Sequence, residues 1–502
     1  MSRRALLSAL ALSTCAASEA TDLDGPPHPA AVTPRPYTEI ITPEALGTTV
    51  GWLASPALRG RLPGTDGYDR AARWAAARFG ALGLRPVDPA GDFLQRFPLE
   101  LNEISRCHLE IPGWDGPPLV QGVDYACRGF TGSGRFAAPV AFVGYGLSLP
   151  EQGWDEHAGL DLSGRALLCF KQPPTWKLDD VGWGEAAMPR PRAAWAQAHG
   201  ARAVLTVSRP DNAWSPQPIG SVMHGPGEQQ PDLPQLEVSP ALATFLTRET
   251  GLDLPALQAA IDTPRAPASR LLAATVSVDV RAYYEPEAPA ANVVALLPGA
   301  DPVLREEIVI VGAHLDHVGA QGEVVYPGAN DNASGSAVVL ALAEAFAASP
   351  EPPARSVLFI LFAAEESGLL GSAWFVAHPL VDLEQVVAVL NLDCVGHGPG
   401  QLELGGGGAS PDLWALARGL DDDAMTVEET WPGGGADLQA FFDAGLPTLY
   451  FVTEGSYTHL HKPSDTLETL DLELLARVGR LCFRTLAAVA RGEYRREPHA
   501  EE

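Results

Sequence analysis

Apolar runs and longer segments of helical period take turns between residues 290 and 491. The runs are Val293 to Leu297, Ile308 to Val311, Val357 to Ala363, Val386 to Leu392 and Pro447 to Val452. They are short, rich in β-branched and aromatic residues, and closed by polar or Gly positions. That pattern predicts buried strands. Segments 334–347, 368–378, 410–420, 436–444 and 471–490 carry apolar residues at helical spacing. The last, LELLARVGRLCFRTLAAVA, is amphipathic and is expected to pack one face on the sheet. Strand alternating with helix predicts an α/β domain, with its chemistry beyond the C-terminal ends of the strands.

The chain upstream has a different texture. Residues 42–85 read as helical, opened by Thr42-Pro43-Glu44, an N-cap followed by Pro at the first helical position. Arg59 to Gly67 is a loop, and Tyr68 to Leu82 a second helix. From about 105 to 280, short β-like runs alternate with Gly/Pro turns: Pro139 to Gly146, Arg165 to Phe170 and Ala201 to Val207, with one helix, Pro191 to His199. This segment reads as a separate β-rich module between the helical part 39–104 and the α/β domain 285–492. Residues 21–38, rich in Pro, Ala and Thr, read as a linker, and 493–502 as a polar tail.

At 502 residues the chain has room for about three domains. Its 34 basic and 62 acidic residues give 34 − 62 = −28, a charge that repels phosphate backbones and excludes nucleic acid as a partner. The N-terminus resembles an export signal, residues 1–20: Arg3-Arg4, then an apolar core from Ala5 to Leu12 too short to span a membrane. Cleavage follows Ala20, or Leu12 to Cys15 acts as a lipoprotein box and Cys15 carries a lipid. The chain is therefore expected to be exported: secreted, periplasmic or lipid-anchored, with membrane attachment only through that lipid. Six cysteines without a CxxC pair argue against a thiolate zinc site. Cys107 and Cys127 are either a disulfide of an exported chain or two unpaired thiols.

Five acid or imidazole positions follow the expected strands: His314-Leu-Asp316, Asp331, Glu365-Glu366, Asp393 and His461. Each has a plain structural reading. His314 could be a strand-end histidine, Asp331 a helix cap, Glu365-Glu366 a solvated helix start, Asp393 a strand-end carboxylate and His461 a surface residue. Their common place after strands points instead to convergence through the fold. Two histidines with several carboxylates and no thiolate form a ligand set that suits zinc, cobalt or manganese.

These residues stand in five ordered blocks: Gly312-Ala-His-Leu-Asp316, Gly328-Ala-Asn-Asp-Asn-Ala-Ser-Gly335, Phe362-Ala-Ala-Glu-Glu-Ser-Gly-Leu-Leu-Gly-Ser372, Leu390-Asn-Leu-Asp393 and His461-Lys-Pro-Ser-Asp-Thr466. So arranged, the chain resembles the co-catalytic di-zinc aminopeptidases, family 28 of the metallopeptidases, relatives of glutamate carboxypeptidase and the transferrin receptor. Arg59 to Thr65 is similar to that family's opening segment. Pro139 to Gly146 and Trp154 to Gly164 resemble, more loosely, the protease-associated (PA) module inserted in many of these enzymes. The resemblance implies a three-layer α/β/α zinc-peptidase domain with a mixed, mostly parallel sheet, an inserted β-rich PA-like domain, and two zinc ions per chain. Asp331 would bridge the ions, His314 and Asp393 would complete one site, and Glu366 and His461 the other. Asp316 would hydrogen-bond His314 and fix its tautomer, and Glu365 would be the general base. The implied activity is release of N-terminal residues from peptides. A glutamate-carboxypeptidase-like carboxypeptidase or dipeptidase and a non-catalytic receptor-like protein are the alternatives.

His459 competes with His461 as ligand, His461 being favoured by its Lys-Pro-Ser-Asp-Thr context. His317 is read as outside the ligand set. Leu438 departs from the family's Ser-Asp-His segment after Asp437. Tyr457 is a candidate to line the pocket. Asn332-Ala-Ser334 is a formal glycosylation sequon that a neighbouring metal site would block, and Gly405 to Gly408 reads as a loop.

Overall fold

The computed structural model describes residues 25–28, 32–178, 182–212, 217–222, 225–422 and 425–496. The export signal, Cys15 and the end of the polar tail lie outside them. No helix among the described residues is long and apolar enough to cross a membrane.

The apolar runs form the centre of one 15-stranded sheet. Strand Ile308–His314 lies between Ser356–Phe362 and Val386–Leu392 and is parallel to both. The chain thus moves from one side of Ile308–His314 to the other, a switch of direction that opens a crevice at the strands' C-terminal ends. Thr448–Thr453 extends the parallel set next to Val386–Leu392. The long strand Arg270–Leu297 closes the other side antiparallel to Ser356–Phe362. All seven residues of each of the three central strands are buried, because helices cover both faces. Helices Pro43–Leu53, Asp66–Ala81, Gly335–Ala347 and Leu472–Ala490 pack on one face, and Leu370–Ala377 and Leu438–Asp443 on the other. The caps are as the sequence implies: Thr42 accepts from the Ala45 N–H, and Asp471 from those of Glu473 and Leu474.

A second lobe has its own core, and it is not joined by a linker. Strands Leu94–Glu110 and Arg270–Leu297 pair antiparallel along nearly their whole length and run continuously from one core into the other. The expected boundaries at 105 and 280 therefore fall inside strands, and residues 94–104 are strand rather than part of a helical segment. Pro286 and Pro289 make that stretch look like a loop. In the structure, residues 281–292 pair on one edge only among the described residues, so a missing N–H costs no second ladder. The lobe's sheet has parallel strands Ala166–Phe170, Ala203–Val207 and Gln235–Val238. Beside the expected helix, observed at Pro189–Ala198, it carries Pro240–Thr247 and Leu254–Asp262. The lobe is therefore more helical than its β-like texture suggests; two short helices between turns leave little period to read.

Cys107 and Cys127 are disulfide-bonded, with Cα atoms 6.1 Å apart. The bond stands beside a contact between the lobes. The Gln321 side chain accepts the Cys127 N–H at 2.8 Å and donates to the Cys127 carbonyl at 2.7 Å. Nearby, the Gly220 N–H donates to the His461 carbonyl at 2.8 Å.

Candidate active site

His314 ends its strand and is fully buried. Its Nδ1 lies 3.2 Å from the backbone carbonyl of Asp316. A carbonyl only accepts, so Nδ1 carries a proton, and Nε2 is the nitrogen turned towards the carboxylates. Nε2 lies 3.3 Å from Asp331 Oδ1 and 3.3 Å from Asp393 Oδ1, with Glu365 Oε2 at 4.0 Å. The Asp316 carboxylate is 3.8 Å from Nδ1, beyond hydrogen-bond reach. It accepts instead from the N–H groups of Glu365 and Glu366 at 3.2 and 3.4 Å. The tautomer is thus set by the Asp316 backbone, whereas its side chain places the two glutamates.

The second group gathers around the other oxygen of Asp331. His461 Nε2 is 3.2 Å from Asp331 Oδ2 and 2.8 Å from Glu366 Oε2. Asp331 therefore turns one oxygen to each imidazole-carboxylate group. His317 also reaches this second group: Nδ1 is 2.8 Å from Glu366 Oε1 and 3.6 Å from Asp331 Oδ2. The sequence alone, with His317 next to Asp316, placed it outside the ligand set. His459 points elsewhere, its Nδ1 2.9 Å from the Ser464 hydroxyl. Asp393 Oδ2 accepts from the Tyr450 hydroxyl at 3.1 Å, and Tyr457 lines the cleft beside it. Asp437 is buried near the same cluster.

The backbone that presents these groups is heavily tied down. Asp465 accepts the N–H groups of Asn330 and Asp331 at 2.9 and 3.1 Å. Asn332 caps the following helix through the Gly335 N–H and donates to the Leu392 carbonyl, both at 2.9 Å. It is fully buried, which closes the sequon to a glycan. Gly335 fits there because a Cβ would lie 2.4 Å from the Leu392 carbonyl oxygen. Ala364, Cys394 and His461 take positive φ, a costly conformation for residues with a Cβ, and each is at or next to a site residue. Beneath the loop, the fully buried Arg61 donates to the carbonyls of Leu53, Leu315, Pro327 and Gly328. Its charge also faces Asp316, Asp465, Asp331 and Glu366. The Arg59 to Thr65 segment flagged this arginine only as part of a resemblance; the contacts that give it a role span more than 250 residues of sequence.

The electrostatics follow from burial and crowding. Burial opposes ionisation of Asp331, yet His314, His317 and His461 outweigh it and hold its carboxyl well below the usual range. Burial and then the neighbouring acids raise Glu365 well above its ordinary value, with His314 opposing. Burial lifts Asp316 to about 7 and Asp465 to about 6. Bound cations would lower such carboxyls.

The donor set fits divalent metal. Asp331 Oδ2, Glu366 Oε1 and both ring nitrogens of His317 are buried without a hydrogen bond. Even the 2.8 Å His317–Glu366 approach lacks hydrogen-bond alignment. Buried acceptors without donors are costly, and a cation between them removes the cost. The ligand atoms of His314, Glu365 and Asp393, and those of His317, Asp331 and Glu366, lie within 4.8 Å of one another in each group. Cys394 is close enough to join Asp331 and Asp393, but burial and then those carboxylates push its thiol well above the ordinary range. Nitrogen and oxygen donors in two groups sharing one carboxylate suit two zinc ions.

The cleft over this cluster has a volume of about 520 Å³. Both lobes line it.

Comparison with known proteins agrees with this geometry. Residues 292–486 match the model of peptidase family M28. Among curated proteins, aminopeptidase YwaD of Bacillus subtilis is 33% identical over 195 residues, 36% of this chain and 40% of that one. A probable leucine aminopeptidase of Arthroderma benhamiae is 30% identical over 200 residues, 37% of this chain and 54% of that one. The matched region thus spans about half or less of these relatives' length. Solved structures extend the likeness of fold to both lobes. A peptidase M28 precursor from Shewanella amazonensis has a TM-score of 0.65 at 21% identity, over 93% of this chain and 98% of the other. An aminopeptidase from Aneurinibacillus sp. strain AM-1 has a TM-score of 0.61 at 22% identity, over 92% and 97%.

Proposed function

The segment 292–486 belongs to peptidase family M28, and from that premise we propose that the chain is a zinc-dependent aminopeptidase that hydrolyses N-terminal residues of peptides. The observation that carries the reading is Asp331, which gives one oxygen to the His314 group and the other to the His461 group. The names of the relatives, an aminopeptidase and a leucine aminopeptidase, support the same activity.

Asp331, His314 and Asp393 would hold one ion, and Asp331, Glu366 and His461 the other, with His317 against the second. When bound, the two ions supply Lewis acidity to a water and to the scissile carbonyl. The rest is done by the chain's own groups. Glu365 reaches the cleft with a side chain 17% exposed, whereas the side chain of Glu366 is 4% exposed. Glu365 takes the proton of the attacking water on a carboxylate oxygen and returns it to the leaving amine. Asp316 accepts the Glu365 backbone N–H, which fixes the main chain from which the base projects. The second lobe takes the PA-like role at the cleft's rim, and export through the N-terminal signal completes the reading.

The test is hydrolysis of leucine p-nitroanilide and of its N-acetyl derivative. Turnover of the free amine alone is expected. Cleavage of N-blocked peptides from their C-terminus would replace this reading with the carboxypeptidase one. No turnover by zinc-loaded protein would return the chain to the non-catalytic class.

A further inference from the structure

The cleft is electrically lopsided. Asp331, Glu365, Glu366 and Asp393 line it from the peptidase lobe, and Arg128 and Lys171 line it from the second lobe. Met188, Ile219, Val222, Leu369, Trp431 and Leu460 add apolar wall to the same cleft.

The two cations are held in place. Arg128 Nη1 donates to Glu237 at 3.0 Å, and Lys171 Nζ to both Glu237 oxygens at 3.0 and 2.8 Å. Glu237 is 1% exposed, while the Arg128 and Lys171 side chains keep 11% and 22%. Two cations share one carboxylate, so the group carries one uncompensated positive charge. That is expensive in a half-buried wall unless something anionic arrives. Lys171 ends up with a lowered pKa, first from burial and then from Arg128, as two like charges held together require. In a chain of net charge −28, a fixed positive excess facing the substrate cleft is not a solvated surface feature. Its backbone is fixed as well: Lys171 directly follows strand Ala166–Phe170, and the Arg128 N–H donates to Gln235.

We propose that Arg128 and Lys171 form a carboxylate subsite on the leaving-group side, so that the enzyme favours short unblocked peptides that present a carboxylate there. The inference rests on the aminopeptidase reading above. In a short peptide the C-terminal carboxylate lies only a few residues beyond the bond that is cut, on the leaving-group side. The cleft's 520 Å³ is in the range of sites for small ligands. Each extended residue adds about 3.3–3.6 Å, so peptide length decides whether the carboxylate reaches the pair. Arg128 offers further donors beyond Nη1 in the planar fork that suits a carboxylate. The carboxylate can be the C-terminus or an acidic side chain.

The experiment compares kcat/KM for Leu-Gly, Leu-Gly-Gly and Leu-Gly-Gly-Gly as free acids and as C-terminal amides, with Leu-Glu-Gly-amide against Leu-Gln-Gly-amide as the side-chain arm. We expect a preference of about tenfold for the carboxylate form in at least one pair, carried by KM, as a charge-assisted contact gives. Arg128→Gln and Lys171→Gln should bring the ratio towards one, Arg128→Lys should keep part of it, and Glu237→Gln, which frees the pair, should raise it. An acid-over-amide preference assigns the C-terminus and a Glu-over-Gln preference assigns the side chain. A ratio near one in every pair, or one that Arg128→Lys and Glu237→Gln leave unmoved, overturns the subsite. Calorimetric binding of the same pairs to the Glu365→Gln protein reads the subsite without turnover. Failure of the aminopeptidase reading, seen as lack of turnover, is thereby distinguished from failure of this one.

Discussion

The two lobes bury ionisable groups in different ways. In the second lobe each buried acid has its partners. Glu156, fully buried, accepts the N–H groups of Tyr145 and Leu147 at 2.9–3.0 Å, and Glu237 is paired with Arg128 and Lys171. In the peptidase lobe, Asp331 Oδ2 and Glu366 Oε1 face imidazoles, none of which makes an aligned hydrogen bond to them. Yet they lie in the most carefully tied part of the chain, under Asp465, Asn332 and Arg61. A buried acid with its partners in place is architecture. Buried charges that converge without aligned donors, on a backbone fixed from behind, leave room for cations.

The largest effect expected to sharpen this contrast is at Glu365. Glu365→Gln should lower kcat/KM by about 10²–10⁴-fold, the usual worth of a general base, while zinc content is unchanged. Loss of the metal with the activity would make Glu365 a ligand instead.

Next is Arg61, the cation beneath the acid cluster. Arg61→Met leaves four backbone carbonyls without a donor and the nearby acids without a counter-charge. We expect a loss of about 3 kcal/mol or more in denaturant unfolding, partly recovered by Arg61→Lys. A neutral change would show that the loop holds without it.

The narrowest effect, confined to a pH slope, belongs to the satisfied acid of the other lobe. Burial raises Glu156 to about 8 from an ordinary 4.5, against the pull of its backbone donors. A carboxyl with a raised folded-state pKa binds its proton more readily in the fold. Its contribution is full below pH 4.5 and is lost as pH rises towards 8, by up to about 1.4 kcal/mol per pH unit. Glu156→Gln should flatten thermal stability across that window and leave metal content untouched. An unchanged pH slope would mean that the carboxyl titrates normally.

Much of the peptidase lobe was legible in the sequence. The apolar runs at 308–311, 357–363 and 386–392 are strands because both faces are covered, so nothing interrupts their hydrophobicity. The five acid and imidazole positions could be marked because each follows such a run. What could not be read was set by distant partners. The partners of Arg61 lie at Leu315, Pro327 and Gly328. His317 joins the cluster only because the turn after Asp316 brings a second imidazole inward. The Asp316 carboxylate turned to the glutamates' backbone rather than to His314. The long paired strands were hidden by Pro286 and Pro289, harmless on a one-sided edge. The Arg128–Lys171–Glu237 group joins three separate segments, and no spacing in the chain announces it.

The account stands or falls on whether the converging, unsatisfied oxygens hold metal. The direct measurement is zinc per chain by mass spectrometry, after loading and removal of free ion, for the unmodified protein and for Asp331→Asn. The account predicts about two ions per chain, and loss of both when the shared carboxylate becomes an amide. A fully folded protein that retains no zinc, or an Asp331→Asn protein that still retains two, would contradict it.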